Sequence, residues 1–159
     1  MKNKEQRFSR ILTLVFSGIA ILVSFSIFAK DIKNIRYYDM DAKTAITECT
    51  DFENARMSFE RTRYSPEGEL QARDITYTFL CGIQQAETFE IKTSEVQTIN
   101  LNKNFGEVKI VFVQQDNDSF YSFALAEGDN KYDLEKGVYD VYIIGKYFSG
   151  KISFEIINL

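Results

Sequence analysis

The 159 residues contain no histidine, no tryptophan, one proline and two cysteines. Without histidine, the Ser–His and Cys–His nucleophile pairs, the usual zinc and copper sites and imidazole proton transfer are all closed to this chain, which leaves carboxylate chemistry. The single proline, Pro66, rules out a proline-rich linker. Cys49 and Cys81 are too far apart in sequence for a C-x-x-C redox motif. Neither stands at the end of the apolar run, so a lipoprotein anchor is not indicated. Basic residues are also scarce in the bulk of the chain. From Lys30 onward there are 15 basic and 22 acidic side chains, a net charge of −7. Such a surface repels phosphate backbones, so no nucleic-acid partner is expected.

One long uncharged run is present. Residues 11–29 read ILTLVFSGIAILVSFSIFA, bracketed by Arg10 and Lys30. As a helix, this length rises about 28 Å, close to the roughly 30 Å hydrocarbon core of a bilayer. Thr13, Ser17, Gly18, Ser24 and Ser26 are scattered through it and do not make one polar face, which argues against a buried globular helix. Two readings stand: an uncleaved signal anchor, or a secretory signal peptide with small-x-small processing at Ser24-Phe25-Ser26. Against processing, the uncharged run is longer than a usual signal core. With Lys2, Lys4, Arg7 and Arg10 held in the cytoplasm, both readings send residues 30–159 across the membrane. The chain thus divides into a basic cytoplasmic segment (1–10), the membrane or signal segment (11–29), a polar stalk that is helical in part (30–53) and a β domain (54–159). In an exported domain, Cys49 and Cys81 are expected to form a disulfide closing a loop of about 33 residues.

After residue 54 the apolar period becomes two. Met57 and Phe59 begin it, and Ser65-Pro66-Glu67-Gly68 reads as a turn. Ile75, Tyr77, Phe79 and Cys81 alternate with polar residues, and Gly82 ends or bulges that strand. Short strands are predicted near 88–92, 96–101, 108–114, 120–125, 138–144 and 151–157, with 108–114 central because it is apolar on both faces. Glu135-Lys136-Gly137 reads as a hairpin turn. The expectation is a mainly β fold, an antiparallel sandwich of jelly-roll type, preceded by a single N-terminal transmembrane or signal helix. Twenty-three Phe and Tyr residues supply its core.

The Lys136-Gly137-Val138-Tyr139 turn and the Phe148-Ser149-Gly150 step, following a strand that contains Val108-Lys109-Ile110, resemble the β-sandwich modules of exported bacterial hydrolases of the pre-peptidase C-terminal kind. The resemblance spans about residues 106–159. It implies a jelly-roll-like sandwich in an exported setting, and it brings no catalytic residues.

Candidate sites are few. Asp116 and Asp118, with Asn117 and Ser119 between and after them, offer oxygens to calcium but lack EF-hand spacing, and Asp129, Asn130 and Asp133 form a similar run. Glu60, Glu90, Glu95 and Glu155 are the carboxylates a glycosidase pair would need. Tyr37, Tyr38, Tyr121, Tyr139, Tyr142 and Tyr147 are candidate stacking residues, with Tyr147 and Phe148 expected as the exposed pair of a binding surface. No cofactor and no catalytic residue is expected. The function that follows is a non-catalytic envelope module for a protein or surface polymer, tethered by residues 11–29 or secreted after processing. The alternatives are a structural subunit of pilin type and a carboxylate-based hydrolase.

Overall fold

A computed structural model describes residues 2–49, 52, 58–64, 70–91 and 95–155. The chain forms two units, residues 1–33 and 34–159. Helix α1 runs Lys2–Asp39, and its stretch Val15–Asp39 is long and apolar enough to be a membrane anchor or signal sequence. Its hydroxyl side chains do not break it. Ser17 donates to the Thr13 carbonyl at 2.8 Å, Ser24 to Ala20 at 2.8 Å and Ser26 to Leu22 at 2.9 Å. Each hydroxyl is satisfied by its own helix, which is what an apolar surrounding requires.

The second unit is an antiparallel β structure. Its strands are β1 (Ser58–Tyr64), β2 (Leu70–Ile91), β3 (Glu95–Gln114), β4 (Ser119–Ala124), β5 (Gly128–Leu134) and β6 (Gly137–Glu155). They pair in the order β1-β2-β6-β3-β4, and β5 shares the outer edge of β3 with β4. Three of these strands are far longer than expected. The runs 96–101 and 108–114 are one strand, and so are 138–144 and 151–155.

The long strands bend together at one corner. Register slips occur between Tyr77 and Gly82 in β2 and between Lys103 and Glu107 in β3, both opposite the Gly145–Gly150 stretch of β6. There the inward-facing positions change phase. In β3, Ile99 and Leu101 face the core before the corner, and Val108, Ile110 and Phe112 after it; in β6, Tyr139, Val141 and Ile143 give way to Phe148, Ile152 and Phe154. Bulges and bends of this kind let one strand serve two layers. The sheet so folds into two leaves enclosing one core. Phe89 of one leaf lies 5.4 Å from Phe154 of the other, ring to ring, and Phe123 lies 4.1 Å from Tyr132.

This arrangement corrects the reading of Glu135-Lys136-Gly137. Strand β5 pairs β3 and not β6, while Gly137 pairs Ile91 of β2, so the short link crosses between leaves and closes no hairpin. Gly82, in contrast, does mark a bulge, at φ 116°. The Ser65–Gly68 turn lies outside the described residues.

Residues 34–49 are not a stalk. They belong to the folded unit and cover the outer face of one leaf. Asp41 caps α2 (Ala42–Glu48), its carboxylate accepting from the Thr44 amide at 3.0 Å. Ala42, Ala45 and Tyr37 then pack on Ile83, Val111 and Ile144. The small side chains Ala42 and Ala45 allow this close seating, and Ala45 is fully buried. We call this the covered leaf; the other, built from β1, β5 and the opposite halves of β2, β3 and β6, we call the open leaf, because the packing of residues 34–49 lies on the first.

Candidate functional site

Three regions carry features beyond packing. The first is the junction where α1 enters the folded unit. Lys109 stands on the outer face of the covered leaf, opposite in phase to Val108 and Ile110, and is buried there. Its ammonium donates to the Tyr38 and Met40 carbonyls, both at 2.8 Å, and lies 5.5 Å from the centre of the Tyr38 ring. A cation at the end of a helix meets the negative end of its dipole and satisfies carbonyls the helix leaves without partners. Burial pushes the Lys109 ammonium below its ordinary value, and the carboxylates of Asp39 and Asp41 oppose that shift. Lys146 adds an ion pair with Asp39 at 3.1 Å.

The second region is the corner. Gly106 has φ 80° and Tyr147 has φ 53°. A left-handed backbone is uncommon for a side chain as large as tyrosine, and such strain persists only where neighbours enforce it. Gly106 packs directly against this backbone: a Cβ there would lie 2.2 Å from the Tyr147 carbonyl oxygen. The strained turn faces Tyr147 outward, 38% exposed, with its ring 5.9 Å from that of Phe79. On β3 beside it, Phe105 is 50% exposed. Outside α1, Phe105 and Tyr147 are the large apolar side chains most open to solvent among the described residues.

The third is the outer face of the open leaf. Asp74, Ser153, Asn100 and Asp129 lie in one register across β2, β6, β3 and β5. Thr76, Lys151, Asn102, Thr98 and Lys131 stand in the neighbouring rows. Asn100 donates to Asp129 at 2.7 Å, and Lys151 pairs with Asp74 at 2.8 Å. The face is polar; Asp74 and Ser153 are buried in it, Asn100 is partly buried, and Asn102, Asp129 and Lys131 are exposed.

The residues singled out from sequence fare unequally. Tyr147 is exposed as expected, but Phe148 is fully buried, its ring 5.8 Å from Tyr77. The phase change at Tyr147 turns the next side chain inward, so the expected pair is split. Phe105 takes the place of Phe148, and sequence reasoning missed it because Asn104-Phe105-Gly106 looked like a loop. Tyr37 and Tyr139 are buried, and Tyr38, Tyr121 and Tyr142 are partly buried, so these tyrosines pack and do not form one stacking surface.

Asp116 and Asp118 sit in the exposed β3–β4 turn. Asn117 between them is spent on the turn, accepting from the Ser119 amide at 2.9 Å and donating to Gln114 at 3.1 Å. Asn130 similarly ties Ile99, Ala126 and Gly128 together. Among the described residues, no group of three or more acidic or cysteine side chains is placed to hold a metal ion. Of the four glutamates considered for hydrolysis, the Glu90 side chain is described, and it is exposed on β2. Cys49 and Cys81 are both buried, and the expected disulfide between them is not formed in the structure. Cys49 instead serves as a small apolar side chain beside Ile83, Val111 and Ile144.

Burial raises the hydroxyls of Tyr38, Tyr132, Tyr139 and Tyr142 above the ordinary tyrosine value. A group that holds its proton more tightly when folded stabilises the fold below its unfolded value, and that contribution is lost as pH rises through the folded one. Lys109, shifted down, acts the other way and adds stability between its lowered value and its ordinary one. Four tyrosines outweigh one lysine, so stability is expected to fall steeply above about pH 10. Because the chain has no tryptophan, tyrosinate absorbance followed alongside circular dichroism reads both events. Ionisation of all nine tyrosines at the free value with no loss of structure would refute the assignment.

No family model matches the chain, and no curated protein does. Among solved structures, the C-terminal domain of a structural protein from Sulfolobus turreted icosahedral virus is similar over 52% of this chain and 99% of its own, with 16% identity and a TM-score of 0.36. The cupin domain of Drosophila melanogaster CENP-C is similar over 67% of this chain and 79% of its own, with 12% identity and a TM-score of 0.38. Hydroxypropylphosphonic acid epoxidase from S. wedmorenis is similar over 69% and 56%, with 9% identity and a TM-score of 0.39. None of these three is a pre-peptidase C-terminal module, and likeness at this level carries no argument about what the chain does.

Proposed function

We propose that the chain is a non-catalytic module of the cell envelope, tethered by its N-terminal helix, whose open leaf binds a protein or a surface polymer. The observation that supports this reading is the unequal treatment of the two leaves. The covered leaf has its outer face sealed by residues 34–49. The open leaf has a level row of polar groups, in which Asp74 and Ser153 are buried while Asn100 and Asp129 reach solvent. Hydrogen-bonding side chains fixed on a sheet suit a hydroxyl-rich polymer or the polar rim of a protein. In this setting the folded sheet is a jelly-roll-like sandwich on the outer side of the membrane, and its acidic surface discourages anionic partners.

The test compares full-length chains in nanodiscs as bait in envelope extract. Asn100→Arg is expected to lose a protein or polymer that the unaltered chain captures, while Asn117→Arg, in the distant β3–β4 turn, keeps it. Equal capture by both variants, or none by the unaltered chain, would count against the open leaf as the binding face.

A further inference from the structure

We propose that the corner bearing Phe79, Phe105 and Tyr147 is a lipid-docking surface that settles into the interfacial layer of a bilayer. The proposal rests on the anchor reading of residues 11–29 and goes beyond it, because a tether alone needs no second contact with lipid.

Four observations lead there. First, outside α1, exposed large apolar side chains among the described residues concentrate at this corner, at Phe105 and Tyr147. Second, a strained backbone holds Tyr147 out. Tyr147 adopts φ 53° against a glycine that no other residue can replace without collision. Strain kept in this way points to a role for the side chain it displays. Third, the chemistry matches the water–lipid boundary, where aromatic rings with a polar tip are enriched. Tyr147 brings a hydroxyl, and Phe79 backs its ring at 5.9 Å.

Fourth, the tether is short. Lys146, the residue before Tyr147, is bonded to Asp39 at 3.1 Å. Asp39 is the last residue of α1. It follows Lys30, where the uncharged run ends, by nine positions, a helical rise of about 14 Å. The headgroup layer on one side of a bilayer is about 5–7 Å deep, and an extended tyrosine side chain adds a comparable reach. Lys33, exposed along the same stretch, suits a lipid phosphate. A protein partner is the competing occupant. It is disfavoured because the exposed rings are few and only nine positions separate Lys30 from Asp39, which pairs with Lys146.

The absence of tryptophan makes the test direct, since each substitution creates a chain with a single indole. Full-length Tyr147→Trp, Phe105→Trp, Asn117→Trp and Val23→Trp variants are reconstituted in vesicles of phosphatidylcholine and phosphatidylglycerol, with and without lipids carrying a quencher near the headgroup. Tyr147→Trp and Phe105→Trp are each expected to be quenched about threefold more than Asn117→Trp and to emit at shorter wavelength. Val23→Trp, inside the apolar run, reports the anchor itself. If it emits at short wavelength while both corner indoles behave like Asn117→Trp, docking is refuted and the anchor stands. If Val23→Trp emits as an indole in water, or is missing from the mature chain, the anchor reading fails and docking falls with it. Corner indoles that shift to shorter wavelength only when envelope protein is added would assign the surface to a protein and overturn the proposal.

Discussion

Replacing Gly106 with alanine is expected to destabilise the fold by about 4 kcal/mol, a large part of a typical domain's total. Two costs combine. The backbone at φ 80° disfavours any side chain, at about 1–2 kcal/mol. The larger cost is steric. The new Cβ would lie 2.2 Å from the Tyr147 oxygen and 2.5 Å from its carbonyl carbon, so backbone must move. That backbone belongs to the corner through which β2, β3 and β6 all pass, and a shift there disturbs both leaves. Gly128→Ala provides the comparison. Its φ is similar, 88°, but a Cβ there meets nothing within 4 Å, so it should cost the conformational term alone. Thermal unfolding in micelles is expected to show a melting point lower by about 10 °C or more for Gly106→Ala and by about 3 °C for Gly128→Ala. Similar losses in the two variants would mean that the corner is not tightly closed.

Lys109→Met is expected to cost about 2–3 kcal/mol and to loosen residues 34–49. Methionine keeps the length and apolar stem of lysine, so packing is largely preserved. What is lost is the ammonium that bridges the Tyr38 and Met40 carbonyls, which are left without that donor in a partly buried place. Removing one partner of a buried polar contact costs more than the contact is worth, because the other partner has no water to turn to. Lys146→Met is the matched comparison. Its ion pair with Asp39 is 32% and 64% exposed on the two sides, and an exposed pair contributes about 0.5 kcal/mol or less. Hydrogen exchange should show faster amides at Ala45 and Cys49, which donate to the Asp41 and Ala45 carbonyls, in Lys109→Met and little change in Lys146→Met. Equal protection in both variants would show that Lys109 does not hold the helical segment down.

The class of fold was legible because period-two alternation survives in each half-strand: Ile75 and Tyr77, Ile99 and Leu101, Ile152 and Phe154. The helix was legible from charge alone. The lengths of the strands were not legible. At the corner, inward positions change from odd to even in β3, and Asn102-Lys103-Asn104-Phe105-Gly106 reads as a polar connection although it is continuous strand. The same holds for Gly145-Lys146-Tyr147 in β6. A local pattern cannot separate a bend within a strand from a turn between two strands. The cover formed by residues 34–49 was hidden for another reason. Its apolar contacts are Tyr37, Ala42 and Ala45, and alanine among charged residues looks like an exposed helix until the sheet beneath it is known. Tyr147 could be chosen from the sequence as an exposed aromatic, but its left-handed backbone and its dependence on Gly106 are long-range facts.

The strand order also governs how the molecule comes together. The last strand in chain order, β6, inserts between β2 and β3, so Ala72 must find Glu155, which is 83 positions downstream. Until β6 arrives, two long strands carry open hydrogen-bonding edges, the condition that invites mispairing with other chains. Such distant closure is slow. A chain delivered across a membrane from its N-terminal end would therefore emerge with its core unsealed until the final strand is through. It would gain most from a chaperone that shields strand edges during transit.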